Sequence, residues 1–271
     1  MASKSVTKKQ ETKVVKKNTG IMKFNSSFET DAGVGFGNAD KDAFVIPFLM
    51  ILQSNSPQLN DNESVYIEEA KAGMFLNTAT GHLYDGKLGI DVVPAYYQRR
   101  FSEWVPRDLG GGYRGDHDPS DIDTSKLSRD DSGKFILTNG NYLSDTRYHF
   151  CIIADPENGP QPVVLSLSST QIVKSRKWMT QMNAIKLKGE RGPFTPPTFS
   201  HLYHLTTVSE SNDKGAWKGI KVEMKRILGG EEGDEYLYNA AKDFQNQVKS
   251  GAAKVQVQDD SSEESDATEK F

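Results

Sequence analysis

From Gly89 to Leu228 the chain alternates short runs of aromatic and β-branched residues with breaks rich in Gly, Pro and Asp, and one amphipathic stretch interrupts them. Such runs suit a pleated strand and such breaks suit turns. Gly89–Val105 reads as one long strand, with Pro94 predicting an edge or a bulge inside it. Arg147–Ala154 and Pro162–Leu167 flank the turn-forming Asp155–Pro160 and read as a hairpin. Ser168-x-x-Gln171 has the form of a capping box. It opens a helix to about Leu187 with Ile172, Met179, Met182 and Ile185 as its apolar stripe. Phe199–Val208 and Ala216–Leu228 read as two more strands. Strand, strand, strand, helix, strand, strand is the element order of an OB-fold, a five-stranded Greek-key barrel with its helix between strands three and four. A second helix, Asp234–Lys249, sets Leu237, Ala241, Phe244 and Val248 on one face, with Asp234 and Glu235 at its positive end. The fold class expected is mainly β with two helices, an α+β chain.

Earlier residues extend this barrel. Phe44–Leu52 is apolar on both faces, and Pro47 favours a buried extended run over a helix. Met74–Asn77 and His82–Tyr84 flank Thr80-Gly81 as a short hairpin. Residues 107–133 read as a long polar loop. The expected organisation is a basic arm and linker over 1–42, one domain over 43–250 and an acidic tail over 251–271. Residues 1–23 hold seven lysines and one glutamate, whereas 257–271 hold six acids and one lysine. Both ends are too polar to offset the entropy of ordering, so both are expected to be disordered. The single Cys151 of 271 residues excludes a disulfide framework and a cysteine-built zinc site. No apolar run approaches the roughly 20 residues of a membrane span. The Lys-rich start also lacks a signal peptide's apolar core. The expectation is a cytoplasmic protein without a membrane partner.

Alternation along the strands separates two kinds of face. In the last strand Ile220, Val222 and Met224 point one way, and Trp217, Lys221 and Lys225 the other, with Glu223 among them. In the second, Tyr148, Phe150 and Ile152 oppose Arg147 and His149. In the first, Tyr96, Arg100 and Trp104 oppose Val93, Tyr97 and Phe101. Rings at strand spacing most often belong to a core, and lysines beside them to a solvated surface. A shared trough of rings and cations, joined by the helix bases Lys174, Arg176 and Lys177, would instead suit single-stranded DNA. Cations follow the phosphates, and rings stack on bases for about 1–3 kcal/mol each.

The tail carries the sharpest motif. Asp259, Asp260, Glu263, Glu264, Asp266 and Glu269 lead to a terminal Phe271. An acidic tract ending in an aromatic carboxylate resembles the tails of bacterial and bacteriophage single-stranded DNA-binding proteins. Bacterial tails end in Ile-Pro-Phe, whereas this one ends in Glu269-Lys270-Phe271, so the phage type fits better. The resemblance implies an OB-fold protein that coats single-stranded DNA in replication and recombination. Its tail would mask the groove until DNA displaces it, then engage replication or recombination proteins.

Other chemistry is thin. Asp116-His117-Asp118 lacks a recognisable metal-ligand spacing, and His201 and His204 at i, i+3 fall on opposite strand faces. Gly110-Gly111-Gly112 lacks the Lys and Ser/Thr of a phosphate loop. No catalytic dyad and no cofactor motif is visible, so no enzyme is expected. The rival classes are a viral assembly protein and a DNA-metabolism enzyme using a metal at 116–131.

Overall fold

In a computed structural model of the chain the described residues are 30, 31, 34, 35, 45–131, 133–156, 158–213, 215–251, 254 and 255. The lysine-rich arm and the acidic tail lie outside them. Contacts divide the chain into Met1–Asp40 and Lys41–Phe271. Of the first unit, a turn is described in which Val34 N–H donates to the Asp31 carbonyl at 3.0 Å.

The second unit is mainly β with two helices. Strands β1 (Val45–Ile46) and β2 (Leu49–Ile51) come from the apolar run around Pro47, and β3 (Phe75–Asn77) and β4 (Leu83–Tyr84) form the expected hairpin, with β2 on its other side. Then follow the long β5 (Ile90–Trp104), β6 (Tyr113–His117), β7 (Ser128–Arg129), β8 (Phe135–Ile136), β9 (Tyr142–Asp155) and β10 (Gly159–Leu167). Helix α1 (Ile172–Ala184) precedes the small hairpin β11 (Leu187–Gly189) and β12 (Gly192–Phe194). The chain continues through β13 (His201–Asn212), β14 (Gly215–Ile227), α2 (Asp234–Lys249) and β15 (Lys254–Val255).

The main sheet is antiparallel, eight-stranded and curled. Its five long strands lie in the order β10, β9, β5, β13, β14, and β6, β7 and β8 extend the far end of β5 and β9. Pro94 marks a bulge, since the β5–β9 register slips between Pro94 and Tyr96. Residues 107–133 are not a bare loop, because β6 and β7 lie inside them. Lys254–Val255, placed in the tail by composition, pairs in parallel with β1.

Both faces of the sheet are buried. One face joins Val92, Cys151, Ile153, Leu165, Leu205 and Ile220 to Trp178 and Met182 of α1. The opposite face joins Val93, Phe150, Ile152 and Leu202 to Ala241, Phe244 and Val248 of α2. The α2 stripe is the one its periodicity predicts. The α1 stripe is so only in part: Met182 is buried and Met179 packs against the core as expected, but Ser175 and Trp178 fill the interior while Ile172 and Ile185 are only half-buried. Ser168 also forms no side-chain cap, and Gln171 reaches across to β14 instead.

Gly86 shows how close the N-terminal extension lies to the sheet. Thr207 N–H donates to the Gly86 carbonyl at 2.7 Å, and a Cβ on Gly86 would overlap the Gly73 carbonyl and the Thr207 hydroxyl. Backbone cannot yield as a side-chain tip can. Gly86→Ala is therefore expected to cost about 1–3 kcal/mol in a urea melt, as other overpacked sites do. A variant as stable as the parent would contradict that reading.

Candidate nucleic-acid interface

The trough expected from strand alternation does not form, because three of its members are interior. Trp104 is 2% exposed and packs against Tyr113 with ring centroids 5.3 Å apart. Arg147 is 7% exposed. Its guanidinium donates to Asp145 at 2.9 Å and to the Tyr97 hydroxyl at 3.0 Å. His149 is 1% exposed, stacks on Trp178 at 4.6 Å and shares a 2.8 Å hydrogen bond with Ser175. Burial, then the nearby Arg147 charge, pushes the His149 pKa down to about 3, so the ring is neutral. The physical reason is common to Arg147 and His149. Alternation places them opposite Tyr148 and Phe150, but α1 covers that face as α2 covers the other.

The bulge after Pro94 also swaps partners. Tyr96, not Tyr97, lies with Val93 on the α2 face, where it packs against Phe150. Arg100 is partly exposed but paired with Asp118 at 2.5 Å. At the other end of the sheet, Lys225 pairs with Asp91 at 2.6 Å and Lys221 with Glu223 at 2.8 Å. Met224, expected to point inward, is 57% exposed, beside a register slip between β13 and β14.

What remains together on the outside is the corner where α1 meets β14. Arg176 and Lys177 are exposed on α1 and form no ion pair with another described residue. Lys174 and Trp217 both reach Glu210, the cross-strand neighbour of Trp217 on β13. The Lys174 ammonium lies 2.5 Å from Glu210 Oε1. The Trp217 indole N–H donates to Oε2 at 3.0 Å and the Gln171 amide to the same oxygen at 3.2 Å. Burial works to raise the Glu210 pKa, but these donors hold the carboxyl below its usual range. A Cβ at Gly219 would overlap Glu210 Oε2 and Lys174 Nζ, so only glycine leaves room for this arrangement. The Gln171 oxygen meanwhile accepts from Ile220 N–H at 3.1 Å, closing part of the open β14 edge.

Sequence reasoning missed Glu210, since neither alternation nor composition links it to α1, and it read Gln171 as a capping-box residue and not as a partner of Glu210 and β14. One signal was available: Ser168–Gly189 holds Lys174, Arg176, Lys177, Lys186 and Lys188 and no acid. A second missed feature is at the far end of β5 and β9. The Arg99 guanidinium sits over Phe101 at 5.0 Å, Phe101 meets Phe135 edge-on at 5.9 Å, and Arg129 covers Phe135 at 3.8 Å.

Loop 107–133 spends its acids on structure. Asp116 accepts from the Ser102 hydroxyl at 2.8 Å, His117 lies 2.6 Å from Glu103, and Asp118 holds Arg100. Among the described residues no group of three or more His, Cys, Asp or Glu is placed to hold a metal ion. His201 bonds Ser200 and His204 bonds Asp91, each at 2.7 Å. Cys151 is buried, which pushes its thiol pKa up. No helix among the described residues is long and apolar enough to cross a membrane.

A family model described as Pam3 phage gp34-like protein matches residues 16–254. The chain belongs to this family. The match spans the whole main sheet and both helices as well as part of the basic arm, and it ends before the acidic residues Asp259–Glu269. The family's name is that of a phage protein. No curated protein and no solved structure matches the chain.

Proposed function

We propose that this member of the Pam3 phage gp34-like family binds single-stranded DNA without sequence preference and protects it during phage replication or recombination. The observation that carries the reading is the α1–β14 corner. An acid-free run of bases there stands beside the half-buried ring of Trp217. Cations and a ring in one place are what an unpaired strand needs. The strand order β10, β9, β5, β13, β14, with α1 between the third and fourth of these in the chain, supports an OB-type barrel. The acidic tail supports a tethered competitor for the same cations, with Phe271 as its handle for partner proteins.

Fluorescence anisotropy with a labelled oligo(dT) of 30 nucleotides tests this. The intact chain binds at low salt and prefers the single strand to duplex. Arg176→Glu with Lys177→Glu weakens binding on the order of tenfold or more. Both side chains are exposed, so the melting temperature stays put. Removing residues 257–271 tightens binding and makes it more salt-resistant. No binding at low salt, or equal binding by the double variant, would sink the proposal.

A further inference from the structure

We infer that Glu210 occupies a phosphodiester site at the α1–β14 corner, and that a strand phosphate binds there by displacing its carboxylate. This rests on the proposed single-strand binding and names how one contact of that surface is regulated.

The argument starts from the donors. Lys174 from α1, Gln171 from the turn just before it and Trp217 from β14 converge on two oxygens of one carboxylate. A phosphodiester is also a monoanion whose charge is spread over two terminal oxygens, so it can take the same donors without changing the charge of the site. The corner is preformed, because Gly219 holds the space open and Gln171 is anchored through its other amide atom to Ile220 N–H. The Trp217 ring beside the site offers a face for a neighbouring base. Among the described residues, Glu210 is the only acid that these donors contact, and Lys174 is the only α1 base it holds. A partly exposed ion pair of this kind contributes little to stability. Its clear consequence is that Lys174 is already neutralised before any DNA arrives.

That predicts a signature in salt dependence. When a phosphate takes Lys174 from Glu210, the phosphate's counterion is released but the displaced carboxylate takes up a cation from solution, so net release is near zero, whereas a Lys174 without that carboxylate gives a net release. In Glu210→Gln the dependence of log affinity on log salt should steepen by about 0.7, one single-strand phosphate. Affinity for the same oligo(dT) at low salt should rise by about three- to tenfold. The gain needs Lys174, so Lys174→Gln in the Glu210→Gln background should abolish it. Should the Gln variant melt early, Glu210→Ser serves the same comparison. Unchanged slope and affinity in a folded Glu210 variant overturns the inference while leaving the parent's DNA binding intact. A gain that persists without Lys174 overturns it too. If the parent does not bind the oligonucleotide at all, the functional proposal falls and this inference with it.

Discussion

Trp178→Ala should remove about 3–5 kcal/mol of stability, the range for losing a large aromatic from a packed core. Trp178 is the largest fully buried side chain of the protein's described residues. It stacks on His149 with an interplanar angle of 13° and meets Tyr203 edge-on at 5.6 Å, so it bridges β9 and β13 beneath α1. Removing it leaves a cavity beside His149 and Tyr203, within a core cluster whose strands cannot collapse to fill it. His149 adds a pH dependence to the same spot. Its folded pKa, about 3, lies below the ordinary 6.5, so the unfolded chain binds the proton more readily. Its contribution is complete above about pH 6.5 and is lost progressively as pH falls towards 3. Melts at pH 7.5 and 5.0 should show the parent losing stability in acid. A His149→Leu variant should lose most of that slope. A Trp178→Ala protein within 1 kcal/mol of the parent would contradict the packing described here.

Asp234→Ala should cost about 2–4 kcal/mol, because it leaves the Arg226 guanidinium with only the exposed Glu231 as an ion-pair partner and strands three backbone donors at once. Asp234 is buried at the start of α2 and takes both terminal nitrogens of Arg226, at 2.7 and 2.8 Å. It also accepts from the backbone N–H groups of Gly229, Gly230 and Glu231 at 2.7–3.0 Å. One carboxylate therefore turns the chain from the end of β14 into α2. Arg226 is 24% exposed, which trims the effect below that of a fully interior pair. The Arg226 hydrogen bonds first, and the backbone donors with them, hold the Asp234 carboxyl well below its usual range. A depressed carboxylate pKa stabilises the fold above the unfolded value of 3.8, and the benefit disappears as pH falls below it. Asp234→Asn keeps one acceptor but no charge and should fall between parent and Ala. Urea melts of the three proteins decide it, and an Ala variant within about 0.5 kcal/mol, the range of ordinary surface changes, would refute the assignment.

These two sites show what could and could not be read in advance. Asp234 was visible as a helix-opening acid, but its partner Arg226 was simply one more base on a strand. Trp178 sits in a run whose periodicity pointed to Ile172, Met179, Met182 and Ile185; Met182 does face inward, but beside it stand Ser175 and Trp178, which were not expected there. Periodicity counts a small polar residue like Ser175 as outside, and the His149 hydrogen bond brings it inside. The α2 stripe, free of such residues, was legible outright.

By itself the amino-acid sequence determined the order of the five long strands and two helices, the hairpin of β9 and β10, an edge or bulge at Pro94 and the charged ends. Those follow from periods of 2 and 3.6 residues and from turn chemistry, which act over a few neighbours. Only the tertiary structure decided which faces meet water. Helices cover both sides of the sheet, so the face that holds Arg147 and His149 became interior. It also decided which cations are free. Ion pairs such as Lys174 with Glu210 and Lys225 with Asp91 join residues far apart in the chain, and only folding brings their charges within reach.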